Sequence, residues 1–296
     1  MIKGLSIACL LLSGIAGAVE HKWHGVLDAR YVLTDSIESY LEGGYGKFRF
    51  NDGGHLSMAQ AGFSYSADWR DTWKIHLIGN LESKGDAVKS GITEAFGQYK
   101  TLPFESGYRL RVRAGIMYPK ITMTNISTAW ASPYTLSYSN IDAWIAEELK
   151  HKGVDVSVTR LGRMTNNPYD IEVSIRLFAA NDPAGAMLAW HGWVMSSRQS
   201  YEQETLPLPN SHIGFVPERS DASLELDDRL GFHLNSQWTW HGKAKVLLGY
   251  YDNQGDPTVV ENVQWAWLTR FVHLGAKWRL SDGLELIGQY LAGDTL

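Results

Sequence analysis

YRLRVRAGIMY, residues 108–118, divides cleanly by parity. Tyr108, Leu110, Val112, Ala114, Ile116 and Tyr118 share one face if the segment is extended, because successive strand side chains point to opposite sides. Arg109, Arg111, Arg113, Gly115 and Met117 share the other. Three neighbouring guanidinium groups repel one another and need water or counter-ions. The opposite face needs an apolar neighbour. The segment therefore reads as a strand with oil on one side and water on the other.

The same alternation returns along the chain. Residues 23–33, 72–82, 170–180 and 229–240 show it strongly, and 55–67, 92–101, 147–160, 244–253, 270–280 and 284–292 more weakly. These runs are about nine to twelve residues long, the length of a tilted membrane strand. Strands of a soluble β sandwich, the competing architecture, average about five or six residues. Connections alternate between short (68–71, 102–107, 161–169, 241–243, 281–283) and long (83–91, 119–146, 181–228, 253–269). Tight turns on one side and longer loops on the other are the habit of outer-membrane barrels. Trp69, Trp73, Trp238, Trp240 and Trp278 flank the short turns, as an interfacial aromatic girdle would.

The expected fold is thus all-β, an antiparallel transmembrane barrel. The count gives eleven strands, or up to thirteen if 181–228 adds a pair, and the last one runs outward. Bacterial barrels have even strand numbers, so the expectation is an incomplete part of a larger barrel of about 16 strands, truncated at its C-terminus. Residues 1–18, with Lys3, an apolar run and Ala16-Gly17-Ala18 before the break, read as a cleaved secretory signal. Residues 19–296 form the barrel domain. Export places the protein in the outer membrane of a Gram-negative cell.

Cys9, the one cysteine, lies in the signal, so thiolate and disulfide chemistry are not expected of the mature chain. A net charge of −5 gives no support for nucleic-acid binding. No phosphate loop, dinucleotide fingerprint or G-x-S-x-G is present, and no cofactor is expected. His21 and His24 lack a third metal ligand. His55 and Ser57 are similar to the close His and Ser of a membrane-embedded lipase, but no base, orienting group and oxyanion site accompany them. Asp252, Asn253 and Asp256 lack the terminal Glu of a calcium loop and read as a turn.

ASPYTLSYSNIDAWIAEEL (131–149), AANDPAG (179–185), YYDNQGDPT (250–258), QWAWLTRF (264–271) and LIGQYLAGDT (286–295) resemble a poorly characterised family of Gram-negative porin-like outer-membrane proteins, loosely near the phosphate-selective porins. The resemblance covers most of the mature chain. It implies a porin with further strands after a G-D-T segment, and Gly293-Asp294-Thr295 is where this chain stops. It defines no ligand motif.

On this reading the lumen is lined by Arg109, Arg111 and Arg113, with Arg30, Lys74 and Arg176 on the same side of the wall. Lys47 and Arg49 join them if 34–54 folds inward as a constriction loop. Rings of Arg and Lys favour anions. The expected function is passive diffusion of small hydrophilic solutes with an anion preference, in an outer-membrane lipid setting, without enzymatic chemistry, and with the homotrimeric assembly common among porins. A barrel lipase or protease and a barrel plugged by 181–228 are the alternatives.

Overall fold

The computed structural model describes residues 19–46, 48–84, 87–208 and 217–296. The signal segment 1–18 and Lys47 lie outside the described residues.

Eleven long strands form one antiparallel meander. They are β1 (Val19–Thr34), β2 (Gly53–Trp69), β3 (Trp73–Lys84), β4 (Ala87–Lys100), β5 (Tyr108–Met117), β6 (His151–Arg160), β7 (Tyr169–Ala179), β8 (Gly231–Trp240), β9 (Ala244–Asp252), β10 (Thr269–Ser281) and β11 (Leu284–Thr295). Each pairs with its neighbour in sequence, and the sheet order is the chain order. β1 and β11 each keep one edge without a partner strand among the described residues, so the sheet is not a closed barrel.

Alternation sets the faces, and the burial is inverted relative to a protein that hides its oil. Along β7, Val173, Ile175 and Leu177 stay 45–56 % exposed, whereas Glu172, Ser174 and Arg176 keep only 1–9 %. The charged face is the covered one.

What covers it is the chain between β5 and β6. Residues 118–150 fold back over the polar face and carry helix α1 (Asn140–Glu148), which Ser139 caps by accepting from the Asp142 amide. Lys277 of β10 donates to the Tyr134 hydroxyl at 2.7 Å, and Arg30 of β1 donates to the Leu136 carbonyl at 2.6 Å. In a flat sheet β1 and β10 would lie about 43 Å apart, nine strand spacings. Two residues and their side chains do not reach that far. The sheet is therefore curled around the insert. A side chain at Gly275 of β10 would run into Met123 of the insert, 2.5 Å from its Cγ, so the insert seats where the wall is bare.

The hydrophobic core lies inside this curl. Tyr118, Trp130, Tyr138, Trp144, Ile145 and Leu149 of the insert pack on Phe178, Tyr251 and Phe271 of the wall. The chain between β7 and β8 stacks on top. Its helix α2 (Ala186–His191) is held to α1 by Glu148, which accepts from the Gly185 amide at 3.0 Å and the Met187 amide at 2.9 Å. Tyr40 and Leu41, from the connection between β1 and β2, complete a second cluster with Met187, Leu206 and Leu208.

Several expectations need correction. The run expected as a strand over 147–160 starts at His151, because 140–148 is helical. The expected long connection 83–91 is absent: β3 runs to Lys84 and β4 begins at Ala87. AMLAWH in 181–228 is helix α2 and adds no pair to the main sheet. Among its described residues, that connection contains a two-residue ladder, Leu206–Pro207 with Arg219–Ser220. Tyr118 leaves the outward face of its strand and enters the core.

Candidate functional site

The arginine ladder of β5 faces β6 and β7 on the covered side. Register sets Arg109, Arg111 and Arg113 opposite Thr159, Ser157 and Asp155, and sets Asp155 opposite Arg176. Two carboxylates organise the cations. Glu172 Oε1 takes Arg111 Nη2 at 2.8 Å and Lys120 Nζ at 2.5 Å. Asp155 takes Arg113 Nη2 at 3.0 Å and Arg176 Nη2 at 3.3 Å. Four cations thus share two carboxylates, and the patch carries an excess of positive charge. Arg176 also donates to the Tyr118 carbonyl at 2.8 Å and lies 3.1 Å from His151 Nδ1. Arg109 makes no ion pair among the described residues, and neither does Lys245 on β9.

The other expected lining residues are not brought to this patch. Arg30 pairs with Asp28 two residues away and holds the insert through Leu136. Lys74 sits 3.4 Å from Asp68 near the short turn after β2. Arg49 belongs to a different network over the ends of β3 and β4. There it donates to the Ser83 carbonyl at 2.8 Å and lies 3.6 Å from Glu82. Arg198, fully buried beside it, bridges Glu82 at 3.3 Å and Glu204 at 2.5 Å, and Lys89 meets Glu204 at 2.9 Å. Burial works against the charge of Arg198, yet Glu82 and Glu204 hold its guanidinium above its ordinary range. The connection 34–54 thus reaches this network through Arg49 and the insert through Tyr40, whose hydroxyl donates to Glu147.

Two cavities lie at the margins of the wall, and of these the second is lined in part by the insert, through Ile126. One of about 400 Å³ opens among Arg49, Phe50, Asn51, His55 and Ser83. One of about 230 Å³ lies among Ile126, Lys245, Lys277, Arg279 and Glu285 at the short-turn end.

The tryptophans expected as a girdle lie near the short turns, several with an aromatic partner across the strands. Trp73 stacks near Tyr99 at 4.8 Å between ring centres, Trp240 near Tyr169 at 5.4 Å, and Trp23 near Tyr65 at 4.2 Å. Trp69 faces Trp73 across the β2–β3 turn, and Trp238 and Trp278 flank the turn between β8 and β9 and the one after β10. Trp23, Tyr65, Tyr99 and Tyr169 extend the five expected members. Cross-strand register could have pointed to them, since each faces a partner ring directly.

Sequence reasoning missed the residues of the insert. Lys120, and Arg198 of the next connection, lie outside every alternating run, while Glu148 and Lys150 fell within the run expected as a strand over 147–160. Burial lifts Glu148 to about 7 against the pull of its amide and Trp144 donors, and burial draws Lys150 down to about 7. Asp182, Glu225 and Asp227 bring carboxylate oxygens within 4.8 Å of one another. Burial, with Glu225 and Asp227 beside it, raises Asp182 to about 6, although the Leu226 amide donates to it at 2.5 Å.

The expected weak motifs separate. His55 bonds back to the carbonyls of Asn51 and Asp52, at 2.9 and 3.3 Å, rather than to Ser57. His21 bonds Tyr65 at 2.8 Å, and His24, three residues on, points to the opposite face. Asp256 accepts from Thr258 and pairs with Arg229 at 2.7 Å, as a turn residue does. No protein-family model matches this chain, and no curated protein matches it.

Proposed function

We propose that the chain forms the wall and inner insert of an outer-membrane β barrel that passes small hydrophilic solutes, with a lean toward anions. The inverted burial of β7 carries the reading. A sheet whose valines, isoleucines and leucines face out, while Glu172 and Arg176 face in, matches a lipid-facing outside and a wet or filled inside. In water, an apolar face of that extent marks a surface awaiting a partner. The aromatic band supports the same setting, because amphipathic rings favour the headgroup layer.

The insert sets the bore. Residues 118–150 lie across the inside of the curl, so on this reading any solute path runs beside them, as at the cavity by Ile126 and Lys245. The excess cations at Glu172 and Asp155, with Arg109 and Lys245 outside any ion pair among the described residues, give the anion lean. Paired charges dilute it, so the preference is modest. The homotrimer is carried forward as part of this porin reading.

The same insert favours a second reading, a barrel plugged outright. Reversal potential and conductance in a planar bilayer under a salt gradient separate the two. The porin reading expects a small, anion-leaning conductance that loses its preference when Arg109, Arg111 and Arg113 become Gln. A silent protein that conducts only after residues 120–138 are replaced by a short Gly-Ser linker supports the plug. Recovery of the folded protein in the periplasmic fraction would sink both.

A further inference from the structure

Three neighbouring strands carry Asn235, Gly249 and His273 directly opposite one another on the covered face. The middle position has no side chain, and its neighbours lean into the gap. A Cβ built on Gly249 would lie 2.3 Å from His273 Nε2 and 2.5 Å from Asn235 Oδ1. Those two atoms therefore lie within 4.8 Å of each other, the sum of the two distances. His233, two residues before Asn235, adds its own Nε2 at 2.9 Å from His273 Nε2. The Asn235 amide nitrogen lies 3.2 Å from the same His233 atom. Both histidines are buried, and Asn235 is 6 % exposed with an Oδ1 that meets no hydrogen-bond donor.

The geometry points to a transition-metal site over Gly249, in which Nε2 of His233, Nε2 of His273 and Oδ1 of Asn235 bind one Cu2+ or Ni2+ ion. Two imidazole nitrogens and a carbonyl oxygen are a borderline donor set that suits these ions. The nitrogen separation, which is also that of a hydrogen bond between the rings, is compatible with the geometry these ions prefer. With metal–nitrogen bonds of about 2.05 Å, a gap of 2.9 Å corresponds to an N–metal–N angle of about 90°. A tetrahedral ion such as Zn2+ would hold the same atoms about 3.3 Å apart. Right angles belong to square-planar and tetragonal centres.

Ligation needs both Nε2 atoms free of protons. In the neutral pair one Nε2–H points at the other ring, so binding moves that proton to Nδ1 of its own ring, with none released overall. Among the described residues no carboxylate touches the site, and Arg176 reaches His151, whose ring meets His233 edge-on at 5.9 Å. The ion's charge is thus met by no anion, so binding is expected to be weaker than at a site with the same donors and a carboxylate beside them. A bound ion would staple β8 to β10 across β9.

The test uses the full chain purified in detergent and stripped with chelator, in a His21→Ala background. That substitution is needed because cleavage after Ala18 would place His21 third from a free amine, a Cu2+ chelate in its own right. The expected result is one Ni2+ or Cu2+ per chain by calorimetry, with Zn2+ at least 10-fold weaker. His233→Gln, His273→Gln and Gly249→Ala should each weaken binding at least 10-fold, while heat-modifiable gel migration reports that the strands remain folded. Electron paramagnetic resonance of the Cu2+ form of the parent should show coupling to two imidazole nitrogens. Binding unchanged by the substitutions overturns the site. Parent spectra with fewer than two imidazole couplings overturn it whether or not any variant folds, and leave a hydrogen-bonded histidine pair. Conductance is read separately, so loss of the metal site leaves the porin reading standing, and the reverse holds too.

Discussion

At one end of the sheet the connections are short, 70–72, 101–107, 161–168, 241–243 and 282–283, and aromatic rings pair on the outside. At the other end, 118–150 and 180–230 leave the wall, turn inward and build a core on Phe178, Tyr251 and Phe271. Both ends use large rings, but for different tasks. The first set meets the surroundings and makes few buried contacts. The second is packed on all sides and carries buried charge with it. Sensitivity to substitution should therefore be concentrated on the insert and the wall beneath it.

The sharpest way to break that contrast is Asp155→Ala. It would leave the side chains of Arg113 and Arg176 without their carboxylate beneath the insert. The expected loss is about 3–5 kcal/mol, because removing one partner strands a buried charge. Denaturant midpoints of the detergent-solubilised protein check it, and a loss below about 1 kcal/mol would mean that water reaches this patch.

Acidity probes the insert together with Asp182 of the connection stacked on it, which is also held up, to about 6. Glu148 is held at about 7 in the folded state against an ordinary 4.5, so the folded insert keeps a proton that the unfolded chain gives up. Stability is then full below pH 4.5 and falls as pH rises to 7, by about 3 kcal/mol. Lys150, drawn to about 7 from 10.5, works the other way: the folded state binds fewer protons, and stability climbs from pH 7 to 10.5. Tryptophan fluorescence during denaturation should show the insert weakest near pH 7. Glu148→Gln should flatten the acid arm, and an unaltered arm would assign it to another group.

Tyr40→Phe tests the cap on the insert. Its hydroxyl donates to the buried carboxylate of Glu147. Losing it should cost about 1–3 kcal/mol through the unsatisfied oxygen, seen as easier proteolysis within 34–54. The smallest effect belongs to the short-turn end. Trp73→Leu should cost about 0.5–1.5 kcal/mol, the worth of its contact with Tyr99. A larger loss there would erase the contrast between the ends.

The wall was readable because it repeats. Parity along 108–118 and 170–180 set both faces of β5 and β7, and the eleven expected runs are the eleven strands of the sheet. The insert was not readable, for a physical reason. Its apolar residues, Tyr118, Trp130, Trp144 and Leu149, face a wall that is distant in sequence, and no local period records a distant partner. Helix α1 has two turns, too few for a 3.6-residue pattern to stand out beside ASPYTLSYS. The ladder illustrates both sides. That Arg111 and Arg113 share a face followed from spacing, but that Glu172 and Lys120 would neutralise and crowd them did not. Extension of β3 and β4 through the expected loop 83–91 shows how easily Gly and Lys in an alternating run pass for a connection.

The order of the sheet also bears on how the molecule is made. Every strand of the wall pairs with its neighbour in sequence, so the wall grows by closing successive antiparallel pairs, and even across 118–150 and 180–230 the closure cost rises only slowly with loop length. The contacts of the insert are of another kind. Arg30 finds Leu136 across 106 residues, and Gln289 finds the Met123 amide across 166. Such contacts form only after the strands at both ends have been synthesised and curled, and distant pairings are slow. Residues 118–150 should thus be the last part to become protected from hydrogen exchange during refolding. For a time the nascent wall is an open trough, with its arginines wet and its interior empty.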